Sequence, residues 1–350
     1  MYRLAFIGFG VVGQGLLEIL VEKQNFLKQE YGFEWKLVAI SDIVKGCKYN
    51  PDGLNATEIL DEVKLNGNIT NISATYNDWD SLKTIKESNA DIVIEVSYTD
   101  IKTGEPGLTH VKAAIETKKH VTMTNKGPMV VASTEIFKLA SKNKVMVRYE
   151  GTVMSGTPVL MTGIRSLKAS GIHKIRGILN GTTNFILTQM EQGLGYDKAL
   201  KKAQELGYAE AKPEGDVEGW DALGKVIILA NTLMGTKLKI NDVYREGITR
   251  IKNDDIKNAA SDGMKWKLIG EVSRESNGEI KASVRPIKVP ISHPLAGISG
   301  PTNALTFTTE LLGEVTIIGP GAGKKATGFA LLSDLLDIHS ELQSNSNNYS

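Results

Sequence analysis

The stretch Arg3-Leu4-Ala5-Phe6-Ile7-Gly8-Phe9-Gly10-Val11-Val12-Gly13 sets a short apolar run, three glycines spaced G-x-G-x-x-G and the start of a helical pattern in direct succession. A brief apolar run that gives way to glycine reads as a buried strand ending in a tight turn. Gly8 permits the turn, Gly10 lets backbone N–H groups approach a pyrophosphate, and Gly13 allows the helix to pack close on the strand. The helix N-terminus then offers unpaired N–H groups and the positive end of its dipole to phosphates. The competing reading is an ordinary tight turn, since glycine supplies 35 of the 350 residues. The strand–turn–helix context favours a bound dinucleotide.

Outward from this point, β-branched runs at residues 3–7, 36–40, 91–95, 120–122 and 145–148 alternate with helical patterns at 16–29, 108–117 and 133–142. Strand and helix in repetition imply right-handed crossovers and a parallel sheet covered on both faces. Ligands bind such sheets at the carboxyl ends of the strands. Asp42 stands at the end of the second strand, where a carboxylate can grip the ribose 2′-hydroxyl of NAD. Lys45, three residues on, suits a 2′-phosphate, so NAD and NADP both stay open. Ser97-Tyr98 and Thr124-Asn125-Lys126-Gly127-Pro128 fall at the same edge. A lysine at position 126 can face nicotinamide or substrate.

After about residue 150 the pattern changes. Residues 152–163 are rich in Gly, Ser, Thr and Pro and read as a hinge into a second domain with helices at 183–191, 196–206 and 220–233. Residues 279–289 and 304–318 read as antiparallel strands, 319–338 as a glycine-rich turn and a helix, and 341–350 as a disordered Ser/Asn-rich tail.

The 41 basic and 40 acidic residues are interspersed, which argues against a nucleic-acid or anionic-membrane surface. One cysteine, Cys47, excludes an internal disulfide framework and fits a cytoplasmic protein. Gln14 and Glu18 break the apolar stretch 4–21, and 226–234 is too short to span a bilayer. The five histidines lack metal-ligand spacing.

The segment from Glu210 to Lys225 carries the chemistry. It holds Glu210, Glu214, Asp216, Glu218, Asp221 and Lys225. Asp221 and Lys225 are four apart in an apolar helical pattern and share one face. Such a spacing is most often a surface ion pair. Here the face borders Ala222, Leu223, Val226 and Ile227, and several carboxylates around one lysine suit a ligand that brings its own ammonium group. A cysteine-dependent aldehyde dehydrogenase is disfavoured because Cys47 lies in a Lys/Gly loop after the second strand. A non-catalytic dinucleotide sensor would not need the acid–lysine cluster.

These motifs resemble the homoserine dehydrogenase family: Gly207-Tyr208-Ala209-Glu210, then Asp216, then Gly219-x-Asp221-x-x-x-Lys225, together with Gly177-Ile178-Leu179-Asn180-Gly181-Thr182-Thr183-Asn184-Phe185-Ile186. The N-terminal fingerprint, Asn125-Lys126, Glu150-Gly151-Thr152-Val153 and Gly319-Pro320-Gly321-Ala322-Gly323 extend the likeness over nearly the whole chain. At Lys212 the family often carries an acid instead.

The resemblance implies an α/β protein: a Rossmann-type parallel sheet over 1–150, a second α+β catalytic and dimerisation domain over 151–318, and a segment at 319–340 returning to the first. It implies NAD(P)H-dependent, reversible reduction of L-aspartate 4-semialdehyde to L-homoserine, a step of threonine, methionine and isoleucine biosynthesis. It makes Lys225 the proton donor and acceptor with Asp221 beside it. Glu210, Asp216, Thr183 and Lys126 would hold the amino-acid substrate. Phe9, Gly10, Val11, Val12, Ser97, Lys126 and Gly323 would join Gly8 and Gly13 at the dinucleotide. Glu150, Val153, Ser155 and Thr157 would hold a monovalent cation, usually sodium, mainly through carbonyl oxygens. A homodimer or homotetramer is expected, without an ACT-type regulatory domain.

Overall fold

The computed structural model describes residues 1–347, in two compact units. Unit 1 comprises Met1–Gly156 and the chain from Gly323, and unit 2 is Thr157–Ala322. No helix of the described residues is long and apolar enough to cross a membrane.

Unit 1 begins with β1 (Tyr2–Ile7), α1 (Val11–Glu22), α2 (Gln24–Tyr31), β2 (Trp35–Asp42), β3 (Gly46–Tyr49), α3 (Ala56–Asn66) and α4 (Ser81–Glu87). It continues through β4 (Ile92–Glu95), α5 (Gly107–Glu116), β5 (His120–Met123), α6 (Lys126–Asn143) and β6 (Val147–Arg148). The sheet runs β3-β2-β1-β4-β5-β6. It is parallel except for β3, which pairs antiparallel to β2. Ile7 stands in register with Ser41 and Glu95, and Glu95 with Met123. The residues after these four therefore emerge along one edge.

Unit 2 contains α7 (Val159–Met161), β7 (Ile172–Ile178), α8 (Gly181–Glu191), α9 (Tyr196–Glu205), α10 (Glu214–Val217), α11 (Trp220–Leu233), β8 (Tyr244–Arg245) and α12 (Asn253–Ser261). The strands β9 (Met264–Arg274), β10 (Ile280–Pro290), β11 (Thr302–Thr309) and β12 (Gly313–Pro320) complete it. Its sheet runs β12-β11-β7-β9-β10-β8 and is antiparallel apart from β10–β8. Gly270, in the middle of β9, is where α11 and Leu179, just after β7, pack on the sheet. A β-carbon there would meet Val226 Cγ2 at 2.7 Å and Leu179 Cδ1 at 2.8 Å.

The chain closes with α13 (Lys324–Asn347) in unit 1. Its Leu331, Leu335 and Ile338 join Leu16, Leu17 and Leu20 of α1 in the core.

Several local expectations are corrected. The helix expected at 16–29 is two, α1 and α2, broken at Lys23. α6 starts at Lys126 instead of 133, because Asn125 Oδ1 accepts the Gly127 N–H at 3.0 Å and Pro128 falls in the first turn, where its missing N–H costs nothing. Cys47 is on a strand, β3, not in a loop. The tail expected to be disordered from residue 341 continues α13 to Asn347, with Leu342 against the core and Glu341 paired to Arg148. Residues 348–350 lie outside the described residues.

Replacing Gly270 with Val forces methyl groups into the seat of α11, and overpacking of this kind costs about 1–3 kcal/mol. The denaturation midpoint should fall accordingly; an unchanged midpoint would show that α11 does not rest on β9 as described.

Candidate functional site

In unit 1, the turn after β1 is set by crowding. Gly8 has φ +88°, and a β-carbon on it would lie 2.5 Å from the Val96 carbonyl oxygen. Only glycine tolerates both the left-handed backbone and the approach. Gly10 is the N-cap of α1 and no side chain caps it, so the first N–H groups of α1 keep no side-chain acceptor. Val11 is exposed beside it, while the Phe9 ring is buried edge-on to Phe6. Phe9 thus has only its backbone to offer a ligand, and its N–H donates to Asp42 Oδ2 at 2.6 Å. Asp42 Oδ1 accepts the N–H groups of Val44 and Lys45, at 2.9 and 2.8 Å. The Lys45 ammonium is turned away, donating to the Gly67 carbonyl at 3.1 Å.

Further along the same edge, Ser97 donates both its N–H and its hydroxyl to Oε1 of the buried Glu95. His110 Nδ1 lies 3.2 Å from that oxygen. Neither Glu95 nor His110 was singled out from the sequence. Asn125, the cap of α6, donates to the Tyr98 carbonyl at 2.9 Å and ties the ends of β4 and β5 together, with Lys126 as the first residue of the helix. Gly323 precedes Lys324, and the Lys324 carbonyl oxygen would lie 2.3 Å from a β-carbon on Gly15 of α1. That contact brings Gly323 beside the fingerprint helix. Cys47 Sγ is 3.3 Å from Ser41 Oγ in this unit.

Of the four expected cation residues, Glu150, Val153 and Ser155 fall in unit 1 and Thr157 in unit 2; all four are buried. The side-chain hydroxyls already have partners: Ser155 Oγ is 2.8 Å from Thr327 Oγ1, and Thr157 Oγ1 donates to the Pro320 carbonyl at 3.0 Å. Met154 and Ser155 are consecutive left-handed residues, at φ 57° and 55°. Strain of that kind persists only where the surroundings impose it. Among the described residues no group of three or more His, Cys, Asp or Glu forms a metal cluster.

In unit 2, the end of β7, the start of α8, the short α10 and the first turns of α11 converge. Lys225 Nζ is buried and donates to Asp221 Oδ2 at 2.7 Å and to the Leu179 carbonyl at 2.6 Å. The lysine side chain is 7% exposed and Asp221 20%. The four-residue spacing therefore joins a buried lysine to a largely covered aspartate and is not a surface pair. Asn180 donates to Asp216 Oδ1 at 2.6 Å and to Asp221 Oδ2 at 2.9 Å. Burial pushes the Asp216 carboxyl above its ordinary value, and the charge of Asp221 pushes the same way; the Asn180 hydrogen bond and the Lys225 charge pull it back.

Thr183 is fully buried behind this group, its N–H and hydroxyl bonded to Asn180. Glu210 is exposed on the loop after α9, which Thr182 Oγ1 anchors by donating to the Tyr208 carbonyl at 2.6 Å. The Glu210 carboxylate has no hydrogen-bond partner among the described residues. Asp216, Asp221, Lys225 and Thr183 are thus gathered into one cluster through Asn180, and Glu210 stands outside it. Asn180 and the Leu179 carbonyl are the members that spacing could not reveal, one quoted only within a motif and the other a backbone oxygen.

The chain is similar to known proteins over nearly its whole length. A family model described as homoserine dehydrogenase matches residues 158–336. An NAD(+)-dependent homoserine dehydrogenase of Pseudomonas canavaninivorans is 45% identical, over 97% of this chain and 96% of its own length. The homoserine dehydrogenase of Methanocaldococcus jannaschii is 39% identical, over 96% and 98%. Among solved structures, a putative homoserine dehydrogenase from Archaeoglobus fulgidus aligns with a TM-score of 0.87 and 38% identity, covering 97% of this chain and 99% of that one. A hyperthermophilic archaeal homoserine dehydrogenase mutant in complex with NADPH aligns with a TM-score of 0.84 and 29% identity, over 97% and 98%.

Because the folded state holds the Asp216 proton more tightly than the unfolded chain does, ionised Asp216 costs stability at neutral pH, and the cost disappears as pH falls through its raised value. Asp216→Asn should therefore raise the melting temperature at pH 7 by about 2–4 °C per kcal/mol recovered, and the gain should fade in acid. A variant that melts lower than the parent at pH 7 would contradict the assignment.

Proposed function

The chain belongs to the homoserine dehydrogenase family, and we propose that it interconverts L-aspartate 4-semialdehyde and L-homoserine with a nicotinamide dinucleotide. The observation that carries this reading is the buried Lys225 ammonium paired with Asp221 beside Asp216. A bound reduced nicotinamide supplies the hydride that converts the aldehyde carbon to the alcohol.

The chain's own residues do the rest. The carbonyl oxygen gains negative charge as the carbon is reduced, and the Lys225 ammonium supplies both the nearby positive charge and the proton. The proton leaves Nζ and forms the alcohol O–H; in the oxidation of homoserine it returns to Nζ. Asp221 and the Leu179 carbonyl hold Nζ in place through both directions. Glu210 and Asp216 receive the substrate ammonium, and Thr183 supports that pocket from behind.

Ser97, Lys126, Gly323 and the fingerprint turn would hold the dinucleotide, with Gly8, Phe9, Gly10, Val11, Val12 and Gly13 contributing chiefly their backbone. NAD is the preferred form. A carboxylate at Asp42 repels a 2′-phosphate, and the Lys45 ammonium, three residues on, donates to the Gly67 carbonyl. Within unit 1 the carbonyls of Glu150, Val153 and Ser155 would offer oxygen ligands to a monovalent cation such as sodium, a reading supported by the left-handed pair Met154–Ser155. The enzyme works in the cytoplasm, in threonine, methionine and isoleucine biosynthesis. It acts as a homodimer or homotetramer, supported by exposed Leu311, Leu312 and Ile318 on and beside the edge strand β12. A non-catalytic sensor is not favoured, because the acid–lysine cluster is intact.

Nicotinamide absorbance in the presence of homoserine tests the proposal. Reduction of NAD should proceed at kcat/KM about tenfold or more above that with NADP, the discrimination that about 1.4 kcal/mol of lost 2′-phosphate binding gives. No reduction of either cofactor would refute the activity, and a preference for NADP would refute the role of Asp42.

A further inference from the structure

We infer that Asn180 is a positioning residue for this reaction: a single side-chain amide that holds Asp216 and Asp221 as two separately oriented carboxylates. The inference rests on the functional reading above and goes beyond it. It assigns the residue that sets the geometry of the acids.

Asn180 meets three requirements at once. It is the N-cap of α8, its Oδ1 accepting the Thr183 N–H at 2.9 Å and the Thr183 hydroxyl at 3.0 Å. Its amide nitrogen donates to two different carboxylates, Asp216 at 2.6 Å and Asp221 at 2.9 Å. It also follows directly on Leu179, whose carbonyl takes the Lys225 ammonium at 2.6 Å. Two consecutive residues at the end of β7 therefore order the whole cluster, a backbone C=O for the cation and a side-chain NH2 for the anions.

Few side chains meet these demands. Serine, threonine and aspartate cap helices equally well. Aspartate has no donor and would add a third negative charge. Serine has one O–H for two acids. Glutamine has the right amide on a side chain one methylene longer than a cap uses. Only asparagine combines a capping acceptor with two donors at that length.

The consequence is electrostatic as well as geometric. Two carboxylates within hydrogen-bond distance of one nitrogen repel each other, and such a pair tends to keep one proton between them. The charged groups around Asp216 are Asp221 and Lys225 on α11, Glu214 on its own helix α10, and Glu218 just after it, with Arg245 of β8 lying 3.9 Å from Glu218 Oε2. Asn180, at the start of α8, is the neutral donor among them that bonds both acids. Without it, Asp216 ionises only at higher pH, and a protonated Asp216 cannot receive an ammonium.

The test uses Asn180→Ser and Asn180→Asp, both of which keep a helix cap, in the full chain. Saturating with NAD and varying pH, kcat/KM for homoserine should fall about 10–100-fold at neutral pH, the loss expected from misplaced catalytic groups. The acid limb of the profile should move up by about one pH unit, further for Asn180→Asp. Reduced activity with an unmoved limb, or a profile matching the parent, overturns the inference.

A second readout does not depend on turnover. Asn180→Ser should lower the melting temperature at neutral pH, and Asp216→Asn in the same chain should restore it, because the two side chains are coupled. Additive effects would overturn the inference even if homoserine proved not to be the substrate. Failure of the parent alone to oxidise homoserine would count against the functional reading.

Discussion

An ammonium group buried beneath a helix is the constraint around which unit 2 is built. Lys225 sits 7% exposed and bonds Asp221 and the Leu179 carbonyl. Removing one partner of a buried pair costs about 3–5 kcal/mol, whereas an exposed pair with the same four-residue spacing contributes about 0.3–0.5. Such a cation is tolerated only where its donors are directed, and the surrounding fold directs two of the three. Leu179, just after β7, offers its carbonyl to Lys225, Gly270 lets α11 lie close on β9, and the Asn180 cap of α8 bonds the acids.

Unit 1 answers to a different constraint, close approach of backbone to backbone. Gly8 cannot carry a side chain without striking Val96, and its φ of +88° lies in the left-handed region that glycine favours. Asp42 holds the turn from the other side by accepting the Phe9 N–H. One carboxylate thus shapes the turn after β1 and places a negative charge beside it.

The alternation of apolar runs and helices in the first half was legible because parallel strands covered on both faces carry continuous hydrophobic sequence. β1, β2, β4 and β5 lie where that pattern puts them. β7 and β9 were not identified because their sequences, IHKIRGI and MKWKLIGEVSR, mix charges into the strand. Lys267, fully buried on β9, looks polar in sequence and is accommodated by the Ile298 carbonyl at 2.9 Å and by Asn184 at 3.3 Å, contacts far away in the chain. For the site, the acids and the lysine stood out by their density between Glu210 and Lys225. Spacing alone could not separate a surface pair from a buried one, since burial is decided by β9 and β10 beneath α11. The Leu179 carbonyl leaves no side-chain signature at all, and Asn180 looks like any helix cap.

The central claim, that the buried Lys225 ammonium moves the proton, is tested most directly by Lys225→Met, which keeps the length and apolar stem and removes the charge. The measurement is the single-turnover rate of aspartate 4-semialdehyde reduction alongside the NADH dissociation constant. The account predicts a rate lower by about 10²–10⁴ with NADH affinity unchanged. A rate within a few fold of the parent would contradict it.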